Sequence, residues 1–352
     1  MRNIINVISG KGGTGKTLLT AVLAETLSTI GKRVLVIDMD IFVRGLTALL
    51  YFQKGEAIKI ISNDEWSVSH FFKNNKQVND KGNDYSDPSA NIAICKYRSF
   101  DVVPSVASVD ELLKYNLLPA SFQEASTVLH AIIEKIPDEY EYIFLDSRAG
   151  YDSLIAATHR VSDISLCVEE DDNISMITSE NLISQLKEDS GGSNIHSATI
   201  LQIMNKARET QSGNSGMGVN FLGAIPFDAD VMKSFGTPTF WRDIDNSLYK
   251  EALIKVWNAL SKKMALHAEI PEGERVSPLG SKHIEQRLSL LPTFRRVLFV
   301  YGVILLSLSI FLVTNKYFFS EIITNPSQLI GLFGVVLGMG LIVFAMLFEG
   351  KK

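Results

Sequence analysis

Residues 10–17 read GKGGTGKT and fit the pattern G-x-x-x-x-G-K-[ST]. Gly10, Gly12, Gly13 and Gly15, with Thr14 among them, allow the backbone to curl so that successive N–H groups point inward at phosphate oxygens. A helix that begins just after such a turn adds its positive end to the same place. Lys16 at this spacing puts an ammonium at the β- and γ-phosphates of a nucleotide, and the Thr17 hydroxyl is a ligand for Mg²⁺. The chemistry implied is nucleoside triphosphate binding.

Acidic residues stand where such a site could use them. Asp38 closes the run RVLVID (33–38), Asp40 follows two residues later, and Asp146 closes YIFLD (142–146). Carboxylates at the ends of buried strands sit at the edge where a phosphate loop also opens. Phosphoryl transfer needs positioning and charge neutralisation more than a strong base, so this set is sufficient for hydrolysis. His70, His130, His159 and His196 show no ligand spacing. Cys95 and Cys167 have no CxxC pattern and read as reduced thiols, not as a disulfide or a zinc site.

The elements that must position these residues are legible as runs. Residues 4–9 (IINVIS) are a buried strand, and 17–30 carry apolar residues at helical spacing before Gly31. With 33–38 they form a βαβ unit whose crossover is right-handed. Strands recur at 142–146, 163–168 and 198–204, with helices at 122–136, 175–187 and 246–266. The expected fold is α/β, a doubly wound, mostly parallel sheet. Residues 74–91 (NNKQVNDKGNDYSDPSAN) and 211–218 (QSGNSGMG) are polar and turn-rich, and are expected to be loops.

Of the 352 residues 46% are hydrophobic, and the excess lies after Arg296. Residues 297–314 and 329–348 carry no charge, and each is long enough to cross a hydrocarbon layer about 30 Å thick. They are expected to form a transmembrane hairpin. Arg295 and Arg296 precede it and Lys351 and Lys352 follow it, which places both termini in the cytoplasm. Gly334 and Gly338 form a G-x-x-x-G pair that permits close helix packing. The N-terminus lacks a secretory signal pattern. Residues 295–352 balance to +3, so a net charge of −5 leaves −8 for residues 1–294. That acidity gives nucleic-acid binding little support.

Lys11 takes the reading further. K-G-G-x-G-K-T with this early lysine resembles the deviant phosphate loop of the MinD/ParA ATPases, and the likeness continues through nearly all of 1–266. It implies a P-loop NTPase fold, ATP and Mg²⁺ as ligands, and a homodimer formed on ATP, in which Lys11 reaches the partner's phosphates. By the same resemblance Asp40 orients the attacking water, while Asp38 and Asp146 hold Mg²⁺ through water. Residues 146–150 (DSRAG) resemble the second switch, in which Gly150 senses the γ-phosphate, although Arg148 replaces the usual proline. Asn205 stands at the adenine-recognition position, and Pro226 lies in the G-x-I-P-x-D segment that borders the base.

The organisation expected is an ATPase domain at 1–268, a linker at 269–296, the hairpin at 297–348 and a cytoplasmic tail at 349–352. The function expected is a multi-pass switch in a bacterial-type cytoplasmic membrane, with its ATPase domain in the cytoplasm. It hydrolyses ATP slowly and recruits or regulates a protein partner that senses its ATP state. One alternative is an ATP-sensing membrane effector, defence or toxin-like, whose hairpins cluster to perturb the bilayer. Another is a polysaccharide-export tyrosine kinase, which shares the D-x-D strand but resembles a different loop and ends in tyrosines. An iron-protein reductase is excluded because Cys95 and Cys167 supply no cluster pair.

Overall fold

The computed structural model describes residues 2–54, 61–62, 64–81, 91–108, 111, 117–190, 197–208 and 220–271. The expected loop 211–218 and the expected hairpin lie outside these residues. Among the described residues no helix is long and apolar enough to cross a membrane.

The chain opens with β1 (Asn3–Ile8), α1 (Lys16–Thr29) and β2 (Val34–Asp38), then α2 (Gly45–Lys54), β3 (Glu65–Trp66), α3 (Val68–Lys81), β4 (Asn91–Ile92), β5 (Cys95–Tyr97) and β6 (Phe100–Val103). It continues with α4 (Phe122–Glu134), β7 (Tyr142–Asp146), α5 (Ser153–Val161), β8 (Ile164–Glu170), α6 (Asn173–Ser190), β9 (Thr199–Ala207) and β10 (Phe221–Pro226). The helices α7 (Ala229–Ser234), α8 (Phe240–Asp245) and α9 (Leu248–Met264) complete it. An eight-stranded sheet runs β10-β9-β8-β1-β7-β2-β6-β5, and β3 and β4 pair separately. Every pairing in the large sheet is parallel except that of β5, which joins β6 antiparallel at the edge. The mostly parallel α/β sheet expected from the sequence is therefore present.

Period-two alternation feeds both faces. Val34 and Val36 enter the core shared with α1, α2 and α9, while Leu35 and Ile37 enter the one shared with α3, α4 and α5. Tyr142 and Phe144 divide in the same way from Ile143 and Leu145. With helices on both faces the central strands are buried throughout, which is why they read as continuous apolar runs.

One expectation is corrected. Residues 74–91 were expected to be a loop, but α3 runs through Lys81. Val68, Phe71 and Phe72 bury its first turns in the second core, and Asn75 Nδ2 donates to Glu124 Oε1 of α4 at 3.3 Å. Residues 74–81 are thus the continuation of a helix whose apolar anchor precedes them, and 82–90 lie outside the described residues.

Candidate functional site

β1, β2, β7, β8 and β9 all end at one edge of the sheet, and β1, at its centre, is flanked by β7 and β8. A ligand crevice in an open parallel sheet lies outside such strand ends, where the order reverses. The phosphate loop leaves β1 here. Gly13 and Gly15 adopt φ of +83° and +90°, and Gly15 is the N-cap of α1. A Cβ on Gly15 would come within 2.4 Å of Asn205 Nδ2, and one on Gly10 within 2.2 Å of the Thr178 backbone carbon in α6. The loop is pressed between two neighbours that admit only glycine.

Lys16 Nζ donates to Ser9 Oγ at 2.7 Å, and Ser9 Oγ donates in turn to the Lys11 carbonyl at 2.7 Å. Burial lowers the Lys16 pKa, and Asp146 and Asp40 oppose it without ion-pairing to it. The ammonium is held ready for an anion.

Asp38 and Asp146 are buried side by side in register across β2 and β7. Burial pushes Asp38 up to about 7, with Asp146 adding to it and Thr47 opposing. Its Oδ2 accepts the Thr47 N–H at 2.8 Å and the Thr47 hydroxyl at 2.7 Å, and its Oδ1 accepts the Asp40 N–H at 3.2 Å. Asp38 thereby braces the turn that carries Asp40. Burial likewise raises Asp146 to about 6, against the pull of Thr17 and Lys16. Its Oδ1 is buried with no hydrogen-bond partner. A buried carboxylate oxygen left over beside Thr17 and Lys16 fits a Mg²⁺ ion carried in with phosphates, since such an ion keeps waters and takes few protein ligands.

The predicted residues fall into three tiers. Gly12, Gly13, Gly15, Lys16, Thr17 and Asp40 line a cleft of about 570 Å³, which Arg148 and Lys206 also border. Thr14, Asp38, Asp146 and Asn205 are buried beneath it. Asn205 Nδ2 donates to the Thr14 carbonyl at 2.7 Å, so this amide supports the loop from below. Gly150 stands at φ +84°, and its N–H donates to the Ser9 carbonyl at 2.9 Å, tying the 146–150 turn to the phosphate loop. Pro226 closes β10, but the cleft wall on that side is formed by Met232 and Phe235.

Lys11 is ion-paired within its own chain. Its Nζ lies 2.7 Å from Glu170 Oε2 and 2.7 Å from Asp172 Oδ2, pairs that raise its pKa, Asp172 most. Lys206, in the left-handed region at φ +57°, bonds the Gly13 carbonyl and Glu170. Desolvation pushes Glu170 up, and the two lysines outweigh it and hold the carboxyl below its usual range. Ser9, Thr47, Glu170 and Asp172 escaped the sequence reading, and Lys206 entered it only as the neighbour of Asn205. The acidic run 169–172 directly after an apolar strand was the available signal. That strand extends to Glu170, past the expected Val168.

A family model described as an AAA domain matches residues 2–194, more than half of the chain. The chain belongs to that family. Within it the sheet and the phosphate loop are similar to those of MinD/ParA-like P-loop ATPases. The chain is 27% identical over 165 residues to the septum site-determining protein MinD of Synechocystis, covering 44% of this chain and 47% of that protein. It thus spans about half the length of that curated relative. Its fold matches that of Pyrococcus horikoshii MinD complexed with Mg-ADP, with a TM-score of 0.53 and 20% identity over 77% of this chain and all of that one. It also matches a MinC:MinD cell division protein complex from Aquifex aeolicus, with a TM-score of 0.52 and 19% identity over 78% of this chain and 98% of that chain.

Proposed function

We propose that the protein is a membrane-held, nucleotide-dependent switch that binds Mg-ATP, dimerises on it, hydrolyses it slowly and recruits a protein partner. The observation that carries the reading is one cleft lined by a partly buried ammonium with no ion pair to a carboxylate, at Lys16, beside an orphaned carboxylate oxygen, at Asp146. Such a pair suits a ligand that brings both an anion and a cation.

Lys16 exchanges Ser9 for the β- and γ-phosphates. Thr17 and Asp146 would hold the ion, and Asp38 would act behind them through water and through the Asp40 turn. Bound Mg²⁺ supplies neutralisation of the charge that develops on the phosphate oxygens. Asp40, on the cleft wall, orients the attacking water. The Gly150 link to the phosphate loop carries the loss of the terminal phosphate to the second switch. Asn205 and the segment around Pro226 flank the base. That a protein of the same fold forms a MinC:MinD complex supports a protein partner. Membrane attachment rests on the uncharged stretches 297–314 and 329–348.

The test uses the full chain in detergent, with Lys16→Ala and Asp40→Ala beside it. Wild type is expected to bind and slowly hydrolyse Mg-ATP. Lys16→Ala is expected to lose binding by at least about a hundredfold, the effect of removing a buried charge-assisted contact. Asp40→Ala is expected to bind but not turn over, and to retain a co-purifying partner. In cells the full chain should sediment with membranes, whereas a chain ending at 272 should not. ATP turnover by Lys16→Ala at the wild-type rate would sink the catalytic part, and a soluble full chain the membrane part.

A further inference from the structure

We propose that Arg148 is a triphosphate-sensing residue, which exchanges Asp152 for the terminal phosphate of the bound nucleotide; this rests on the nucleotide site described above.

Arg148 stands in a turn that the structure pins on both sides. Before it, the Ser147 N–H donates to the Val7 carbonyl at 3.2 Å and the Ser147 hydroxyl to Asn6 Oδ1 at 2.7 Å. After it, the Gly150 N–H donates to the Ser9 carbonyl. The backbone at 148 is therefore fixed beside the phosphate loop, and the side chain borders the cleft that Lys16, Thr17 and Asp40 line.

The guanidinium is weakly engaged. Its Nη1 lies 3.3 Å from Asp152 Oδ2, yet that buried nitrogen makes no hydrogen bond. Asp152 is already used as the N-cap of α5, its Oδ1 accepting the Ile155 N–H at 2.9 Å. Arg148 thus shares a carboxylate committed elsewhere, through side chains that are 29% and 32% exposed. A guanidinium meets a phosphate with parallel N–H···O bonds, a stronger arrangement than this single off-axis contact. We assign that arrangement to the terminal phosphate of a triphosphate, the group a diphosphate lacks. Asp152 is thereby released at the first turn of α5, so that one side chain reports the nucleotide state to a helix.

Affinities for ADP and for a non-hydrolysable ATP analogue, each with Mg²⁺, test this on the full chain. In Arg148→Ala the analogue is expected to bind about tenfold more weakly, while ADP stays within about twofold of wild type. Arg148→Lys is expected to recover part of the loss, as a point charge without the fork. Asp152→Asn keeps a capping oxygen, removes the competing charge and is expected to tighten the analogue but not ADP. An unchanged preference for the analogue in Arg148→Ala overturns the proposal. Equal loss of both ligands in Arg148→Ala and Arg148→Lys also overturns it, since the residue would then support the turn only. If wild type binds neither nucleotide, the site reading itself fails, and this inference with it.

Discussion

Lys11 shows how one side chain can be held ready by contacts that cost little to break. Both pairs are partly exposed, so solvent and salt weaken them and a better anion can take the lysine from them. Beside it in β8, Glu169 points to the opposite face of the sheet and is buried. Burial, with Glu180 adding to it, pushes its carboxyl from 4.5 up to about 7. A folded-state pKa above the unfolded one means that the folded protein binds the proton more tightly. Stability from this group is therefore complete below 4.5 and is lost as the pH rises through about 7. Glu169→Gln removes that loss. Its melting temperature should equal wild type at pH 4.5 and exceed it by about 2–5 °C at pH 8. Thermal melts across that range check this, and a gap independent of pH would refute it.

At the scale of elements, α6 acts as the back wall of the phosphate loop. The Cβ of an alanine at position 10 would lie 2.2–2.5 Å from the backbone of Thr178 and Ser179, atoms that cannot swing aside. Gly10→Ala should therefore cost about 1–3 kcal/mol and weaken nucleotide binding by moving α6 or the loop. Gly12→Ala, with nothing within 4 Å of the added carbon, should leave stability within about 0.5 kcal/mol of wild type. Denaturant melts of the two variants make the comparison, and equal midpoints would refute it. The same elements show what the sequence could reveal. The central strands were legible because burial on both faces leaves an unbroken apolar run. The β5–β6 hairpin was not, since its turn is built on Arg98 at φ +55°, where Gly or Asn is the usual signal. Loop glycines and acidic strand ends could be read as chemistry because phosphate binding requires those residue types at fixed spacing. Thr47 was invisible because it reaches Asp38 from a helix nine residues on, through a contact that only the fold creates.

For the whole molecule, the nucleotide edge carries exposed apolar residues that the monomer does not use. Val43 on the cleft wall is 76% exposed, and Ile174 and Ile177 on the first two turns of α6 are 68% and 57% exposed. Ile174 follows Asp172, the residue that holds Lys11, by two positions, and Ile177 lies one turn further along the same helix face. A second copy that receives Lys11 must approach over this surface and would bury both isoleucines. Full burial of such side chains is worth about 1.5–3 kcal/mol each, so a double change to glutamate should weaken assembly at least about a hundredfold. Sedimentation velocity of the full chain in detergent is therefore expected to show a dimer with a non-hydrolysable ATP analogue and a monomer with ADP. Ile174→Glu combined with Ile177→Glu should remain monomeric in both, while its affinity for ADP, which binds the monomer, stays at the wild-type value. A dimer that survives the double change would place the interface elsewhere. A wild type that stays monomeric with the analogue would remove the dimer from the mechanism, leaving Lys11 as a residue that serves only its own subunit.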